Sequence, residues 1–211
     1  MIFALLPVKS PRHAKQRLNG FLPAAERETL ARLMYEHTLE ALCQAPGIDF
    51  VAVVTSDEPV AAHARRRGVL VFEETGQRSH SASADAACLR AIELGASTVL
   101  LIPIDVPLVT AADFASLAAA ARPGLVIVPD AAGTGTNALV RTPPDVIESR
   151  FGPGSFHAHL EQARSRGIPA DVLRLPGLMF DIDTPEDITE LLARAPESRV
   201  ASFLRTACAS K

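Results

Sequence analysis

Several short runs in this chain are apolar at consecutive rather than alternate positions, and that continuity restricts the fold more than any other feature. The runs are 2-IFALLPV-8, 50-FVAVVT-55, 69-VLVF-72, 98-TVLLIPI-104 and 125-LVIV-128. A strand with one wet face alternates; one that is apolar throughout is covered on both faces, as in parallel sheets with crossover helices above and below. Helical patterns fall between the runs, at roughly 24–45, 58–67, 82–94 and 110–121. In the first, Leu30, Leu33, Met34, Ala41 and Leu42 share one stripe, and Gly95 follows the third as a C-terminal stop. Strand-then-helix order of this kind predicts an α/β protein: a mostly parallel central sheet with helices on both faces.

The rhythm changes after residue 129. The segment 130-DAAGTGTNALVR-141 is rich in glycine and threonine and then turns apolar, and a helix is expected from 151-FGPGSF-156 to about Arg166. A short strand is expected at 180-FDID-183, with two acids at i and i+2. In 184-TPED-187, Thr184 suits an N-cap, Pro185 the first helical position and Asp187 a capping box, opening a helix to about Arg194. Residues 195–211 read as a loosely held C-terminal tail with a short helix at best, so 1–194 is expected to form a single domain, the size for one large core. A net charge of −3 argues against nucleic-acid or membrane-surface partners. Cys43, Cys88 and Cys208 are odd in number and have no paired spacing, which fits a reducing compartment. The opening MIFALLPVK lacks the basic n-region of a signal peptide, and no apolar run approaches the ~20 residues that span a bilayer. A cytoplasmic location follows as the expectation.

Ligands of open parallel sheets bind beyond the carboxyl ends of the strands. That rule puts Asp105, set between Pro103 and Pro107 after the fourth run, at the site. Asp181 and Asp183, alternate residues of an extended segment, face the same way. Three converging carboxylates repel one another unless protonated or bridged, and oxygen ligands with open positions suit Mg²⁺ or Mn²⁺. Directly after the first strand, 7-PVKSPRHAKQRL-18 carries Lys9, Arg12, Lys15 and Arg17, the partners a polyphosphate would need beside a divalent ion. Small residues in 133-GTGTN-137 and 152-GPGS-155 let backbone N–H groups approach an anion, and Ser155 adds a hydroxyl near a helix start. GTGTN is neither a Walker loop nor the GxGxxG of dinucleotide folds. Each feature has an ordinary structural alternative: a turn aspartate, a capping aspartate, a solvated basic loop, glycines in turns. His157 and His159 diverge at i and i+2 on a helix and do not form a metal pair, while Cys88 and His80 show no partner. Nucleophilic catalysis finds no support.

Together these segments carry a resemblance. LLPVKSPRHAKQRL, IPIDVPL, GTGTNAL, FGPGSFHAHLEQARSRG and FDIDTPEDI, in that order over residues 1 to about 194, resemble the 2-phospho-L-lactate guanylyltransferases. The resemblance implies a glycosyltransferase-A-like, Rossmann-type nucleotidyltransferase fold. It implies transfer of the GMP moiety of GTP to a small phosphorylated three-carbon acid (2-phospho-L-lactate, phosphoenolpyruvate or 3-phospho-D-glycerate) with release of pyrophosphate, in coenzyme F-420 biosynthesis. Carried onto this chain, it implies that Asp105, Asp181 and Asp183 hold Mg²⁺. Leu6, Pro7, Val8, Lys9 and Lys15 would bind the nucleotide, with Lys9, Lys15 and Arg17 on its phosphates. Thr136, Gly152 and Ser155 would take the acid. Relatives carry a leucine-asparagine pair near 82–86 that helps to frame the base; this chain reads 79-SHSASADAA-87, and guanine contacts fall loosely within residues 73–85.

Other readings share parts of this pattern. A nucleotidyltransferase for a sugar phosphate or a molybdopterin-type acceptor would keep the basic loop and the aspartates. A non-catalytic GTP-binding module would bind nucleotide without needing Asp105. Sugar-transferring enzymes of the same fold keep an aspartate-x-aspartate at mid-chain, whereas here it stands at 181–183. The sequence leaves the oligomeric state open, a homodimer being one possible assembly.

Overall fold

A computed structural model describes residues 1–11, 14–74 and 79–209. Among them, seven strands form one sheet in the order β3-β2-β1-β4-β6-β5-β7. β1 (Ile2–Pro7) lies between β2 (Phe50–Thr55) and β4 (Thr98–Leu101), parallel to both, and β3 (Leu70–Glu73) extends the parallel edge. β6 (Thr136–Thr142) runs antiparallel between β4 and β5 (Gly124–Pro129), and β7 (Ala170–Val172) pairs in parallel with β5. The five strands anticipated from the continuous apolar runs are all present. The apolar turn of the 130–141 segment becomes β6, buried from Asn137 to Arg141 because it sits inside the sheet. β7 carried no readable signal: three residues at the sheet edge, none of them fully buried.

Continuous apolarity in the strands does what both-face burial requires. Ala4, Leu6, Val53 and Leu100 face helices α1 (Ala24–Gln44), α2 (Glu58–Arg66) and α4 (Ala111–Ala119) in one core layer. Phe3, Leu5, Val99 and Leu139 face α3 (His80–Glu93) and α5 (Ser155–Ser165) in the other. β4 stops at Leu101, earlier than the apolar run, because Pro103 has no N–H to continue a ladder. Ile102 still donates its N–H to the Leu5 carbonyl (3.0 Å), so the chain leaves the sheet alongside β1, at the point where crossovers diverge to either side.

Two expectations are corrected. Residues 180–183 follow a short helix α6 (Pro176–Met179) as extended chain with no strand partner. Residues 199–209 are not a loose tail: α8 (Arg199–Ala209) packs on α1 and on α7 (Pro185–Arg194). Val200, Ala201 and Leu204 are fully covered there, and Val200 and Leu204 join a third core cluster with Leu30, Met34, Ile188 and Leu191. Burying each large side chain of this kind stabilises by roughly 1.5–3 kcal/mol. The i, i+4, i+7 spacing of Val200, Leu204 and Ala207 was present in the sequence, but only α1 and α7 supply the surface that covers it. No helix among the described residues is long and apolar enough to cross a membrane.

Candidate active site

A cavity of about 890 Å³ opens at the carboxyl ends of β1 and β4. One wall is acidic. Asp105, Asp181 and Asp183 each offer a carboxylate oxygen, and the three oxygens lie within 4.8 Å of one another. Two local devices bring them together. Thr38 and His37 of α1 donate to the carbonyls of Ile104 (3.4 Å) and Val109 (2.9 Å), pinning the Asp105 loop. Ile182 donates its N–H to the Asp105 carbonyl (3.1 Å) and buries its side chain completely, so its two acidic neighbours share the opposite side. Asn137 from β6 donates to Asp181 (3.1 Å) and to the Leu178 carbonyl (3.0 Å).

The sequence-predicted cations are distributed unevenly. Lys15 sets its ammonium between two of the acids, 2.8 Å from Asp105 and 3.1 Å from Asp183, and Arg17 meets Asp183 at 2.9 Å. Lys15 is the one non-glycine residue at positive φ among those described (53°), a left-handed conformation that costs roughly 1–2 kcal/mol and is held in place by these ion pairs. Burial works against its charge, but the two carboxylates outweigh burial and hold its pKa above the usual lysine range. Burial pushes Asp105 up, and Lys15 reverses that to a lowered pKa. Asp181 makes no ion pair among the described residues: burial, with the charges of Asp105 and Asp183, raises its pKa despite the bond from Asn137 and the charge of Lys15. Lys9 lines the cavity with an exposed side chain. Arg12 lies outside the described residues. Leu6 and Val8 turn their side chains into the core, because alternate residues of β1 face the α1 layer, so Pro7 is the apolar member of that set on the cavity wall.

Thr136, Gly152 and Ser155 line the same cavity. Gly154 caps α5 in a left-handed conformation (φ 74°), which suits glycine, and leaves the helix start without a side-chain cap. Ser155 is 2% exposed, and no hydrogen bond among the described residues engages its hydroxyl. The GTGTN turn is less open to anions than its composition suggested. Asp130 accepts the N–H groups of Thr134 and Gly135, both at 2.8 Å, and a side chain on Gly135 would collide with that carboxylate.

Several residues here have contacts that the sequence did not reveal. His159 joins Thr136 (3.1 Å) to the Arg150 N–H (2.9 Å). Asp85, within the stretch expected to meet guanine, accepts from Arg141 (2.9 Å), the Ser149 N–H and the Ser149 hydroxyl (2.7 Å), anchoring the loop before Phe151 and Gly152. Residues 75–78 of that stretch lie outside the described residues. His80, at the start of α3, lines the cavity edge-on to Phe151 with ring centroids 4.8 Å apart, and burial lowers its pKa. Most of these partners are separated by tens of residues, and no local pattern marks them.

Comparison with known proteins agrees with this geometry. Residues 2–210 match the family model described as guanylyl transferase CofC like. The phosphoenolpyruvate guanylyltransferase of Sphaerobacter thermophilus is 42% identical over 197 residues, covering 92% of this chain and 93% of its own. The 2-phospho-L-lactate guanylyltransferase of Methanothermobacter thermautotrophicus is 33% identical, covering 96% and 89%. The 3-phospho-D-glycerate guanylyltransferase of Colwellia psychrerythraea is 34% identical, covering 90% of each. Among solved structures, a protein described as a nucleotide-diphospho-sugar transferase from Desulfovibrio desulfuricans superposes with a TM-score of 0.79 at 17% identity, over 99% of this chain and 95% of that one. Sheet order, carboxylate rim and full-length sequence identity converge: this chain is a nucleotidyltransferase and belongs to the CofC-like guanylyl transferase family.

Proposed function

We propose that the protein transfers the GMP moiety of GTP to a small phosphorylated three-carbon acid and releases pyrophosphate, a step that supplies the phosphoacid linker of coenzyme F-420. The observation that carries this reading is one cavity lined by the three carboxylates, by Lys9 and Arg17, and by Thr136, Gly152 and Ser155. Relatives that act on three different phospho-acids support the acceptor class, and phosphoenolpyruvate, the acid named for the 42% identical relative, is the first to try.

The donor set fits a hard divalent ion. It is oxygen-only, and its mutual repulsion already draws an ammonium between two of its members. Asp105, Asp181 and Asp183 would hold Mg²⁺, or Mn²⁺, and such an ion supplies charge neutralisation for a triphosphate. Lys9, Lys15 and Arg17 stabilise the phosphates and the departing pyrophosphate. Lys15 exchanges its carboxylate partners for phosphate oxygens. Thr136, Gly152 and Ser155 orient the acid. A phosphate monoester has a second pKa near 6 and is already a dianionic nucleophile at neutral pH, so no general base is required. Its oxygen forms a bond to the α-phosphorus while the bond to the β-phosphate oxygen breaks, and pyrophosphate leaves with that electron pair. Catalysis is positioning and electrostatics.

The test is incubation of the purified protein with Mg²⁺, each of the four nucleoside triphosphates and each of the three acids, with products identified by mass. A GMP–phosphoacid anhydride is expected with GTP. No adduct in any combination would overturn the reading.

A further inference from the structure

His159 is completely buried on α5, and both of its ring nitrogens are engaged. The Arg150 backbone N–H donates to Nε2 at 2.9 Å. A ring nitrogen that accepts an N–H bears no proton, so the proton sits on Nδ1 and donates to Thr136 Oγ1 at 3.1 Å. The reverse arrangement would face two donors across the Arg150 contact. Thr136 Oγ1 therefore receives a hydrogen bond from the shell and keeps its own hydrogen to give. Thr136 lines the same cavity as the carboxylates and Ser155, and no hydrogen bond among the described residues engages the Ser155 hydroxyl.

We propose that His159 is a positioning residue for the acceptor: its Nδ1–H fixes Thr136 as a hydrogen-bond donor to the anionic group of the acid bound in the cavity. This rests on the functional reading above. The same ring, through Arg150, holds the chain just before Phe151 and Gly152, and Phe151 packs edge-on against it with centroids 5.4 Å apart. One buried imidazole thus sets the spacing between β6 and the loop that starts α5. A protonated ring could not do this, because a second N–H would oppose that of Arg150.

Two substitutions separate the two arms. His159→Gln places an amide oxygen near Nε2 and keeps the Arg150 contact while losing the donor to Thr136. His159→Asn keeps a donor near Nδ1 and loses the other contact. Binding is measured by calorimetry with GTP, inorganic phosphate, phosphoenolpyruvate, 2-phospho-L-lactate and 3-phospho-D-glycerate, alongside turnover. Expected is a weakening of acid binding by about tenfold in His159→Gln, a smaller change in His159→Asn, and GTP binding unchanged in both; one hydrogen bond to a charged group is of that size. Thr136→Val should show the same loss, and adding His159→Gln to it should change acid binding by less than about twofold, as expected for residues acting as a unit. Equal losses in the Gln and Asn variants, additive losses in the double variant, a parallel loss of GTP binding, or no anion binding by the wild-type protein would each overturn the inference. Intact acid binding without turnover would overturn only the guanylyl-transfer reading.

Discussion

Lys15→Met removes the one ammonium that separates Asp105 from Asp183. Its Nζ lies 2.8 and 3.1 Å from their oxygens, and its side chain is 8% exposed. Removing one partner from a buried ion pair leaves uncompensated charge and costs about 3–5 kcal/mol. The carboxyls of Asp105 and Asp183 are 29% and 36% exposed, and Arg17 still reaches Asp183, so the lower end, about 3 kcal/mol, is expected. For a chain of this length that lowers Tm by roughly 6–12 °C. The deficit should vanish in millimolar Mg²⁺ or Mn²⁺, because a divalent cation neutralises the triad without having to displace lysine. Thermal melts of both proteins with and without metal read the effect directly. The reasoning is refuted if the metal-free variant melts within about 2 °C of wild type. It is equally refuted if the metal stabilises wild type as much as the variant.

Other expectations follow from single contacts. Asp105→Asn should lower kcat by about 100-fold or more while calorimetry still detects GTP, since charge placement supplies the rate; full turnover would remove Asp105 from the site. Leu204→Ala, at a fully buried position in α8, should cost about 2–5 kcal/mol in urea unfolding, and a change under about 0.5 kcal/mol would mean that 199–209 does not pack as described. Burial, with the nearby charge of Arg141, holds His159 at a pKa of about 4 against an ordinary 6.5. The unfolded chain then takes up this proton first as pH falls, so the contribution is complete above pH 6.5 and is lost between 6.5 and 4, by about 3 kcal/mol. Urea unfolding of wild type and His159→Gln across that window checks it, the variant showing the shallower pH dependence. Asp85→Ala strands Arg141, which is 1% exposed, and with the Asp85 carboxyl 36% exposed the lower end, about 3 kcal/mol, is expected in the same assay.

Much of the architecture was legible because burial on both faces leaves a local mark. Consecutive apolar residues announced β1, β2 and β4, and Thr184-Pro185 with Asp187 announced the start of α7, which the structure closes as a capping box. Alternation put Asp181 and Asp183 on one side of Ile182, and the fold keeps them there. β7 and α6 left no mark, being too short to show a period. The Val200–Leu204 stripe was visible, but its burial depended on α1 and α7 meeting it.

The site divides along the same line. Residue types and their order along the chain, cations after β1, an aspartate after β4 and an aspartate pair after α6, determined by themselves which charged groups the sheet edge carries. Which groups touch was decided only in three dimensions. Lys15 lies between two aspartates 90 and 168 residues away, His159 bonds Thr136, and Asp85 joins Ser149 to Arg141. Side-chain period and capping are local properties that a few consecutive residues encode. Pairing between distant buried groups is set by the packing that brings their elements together, and no local stretch of sequence contains it.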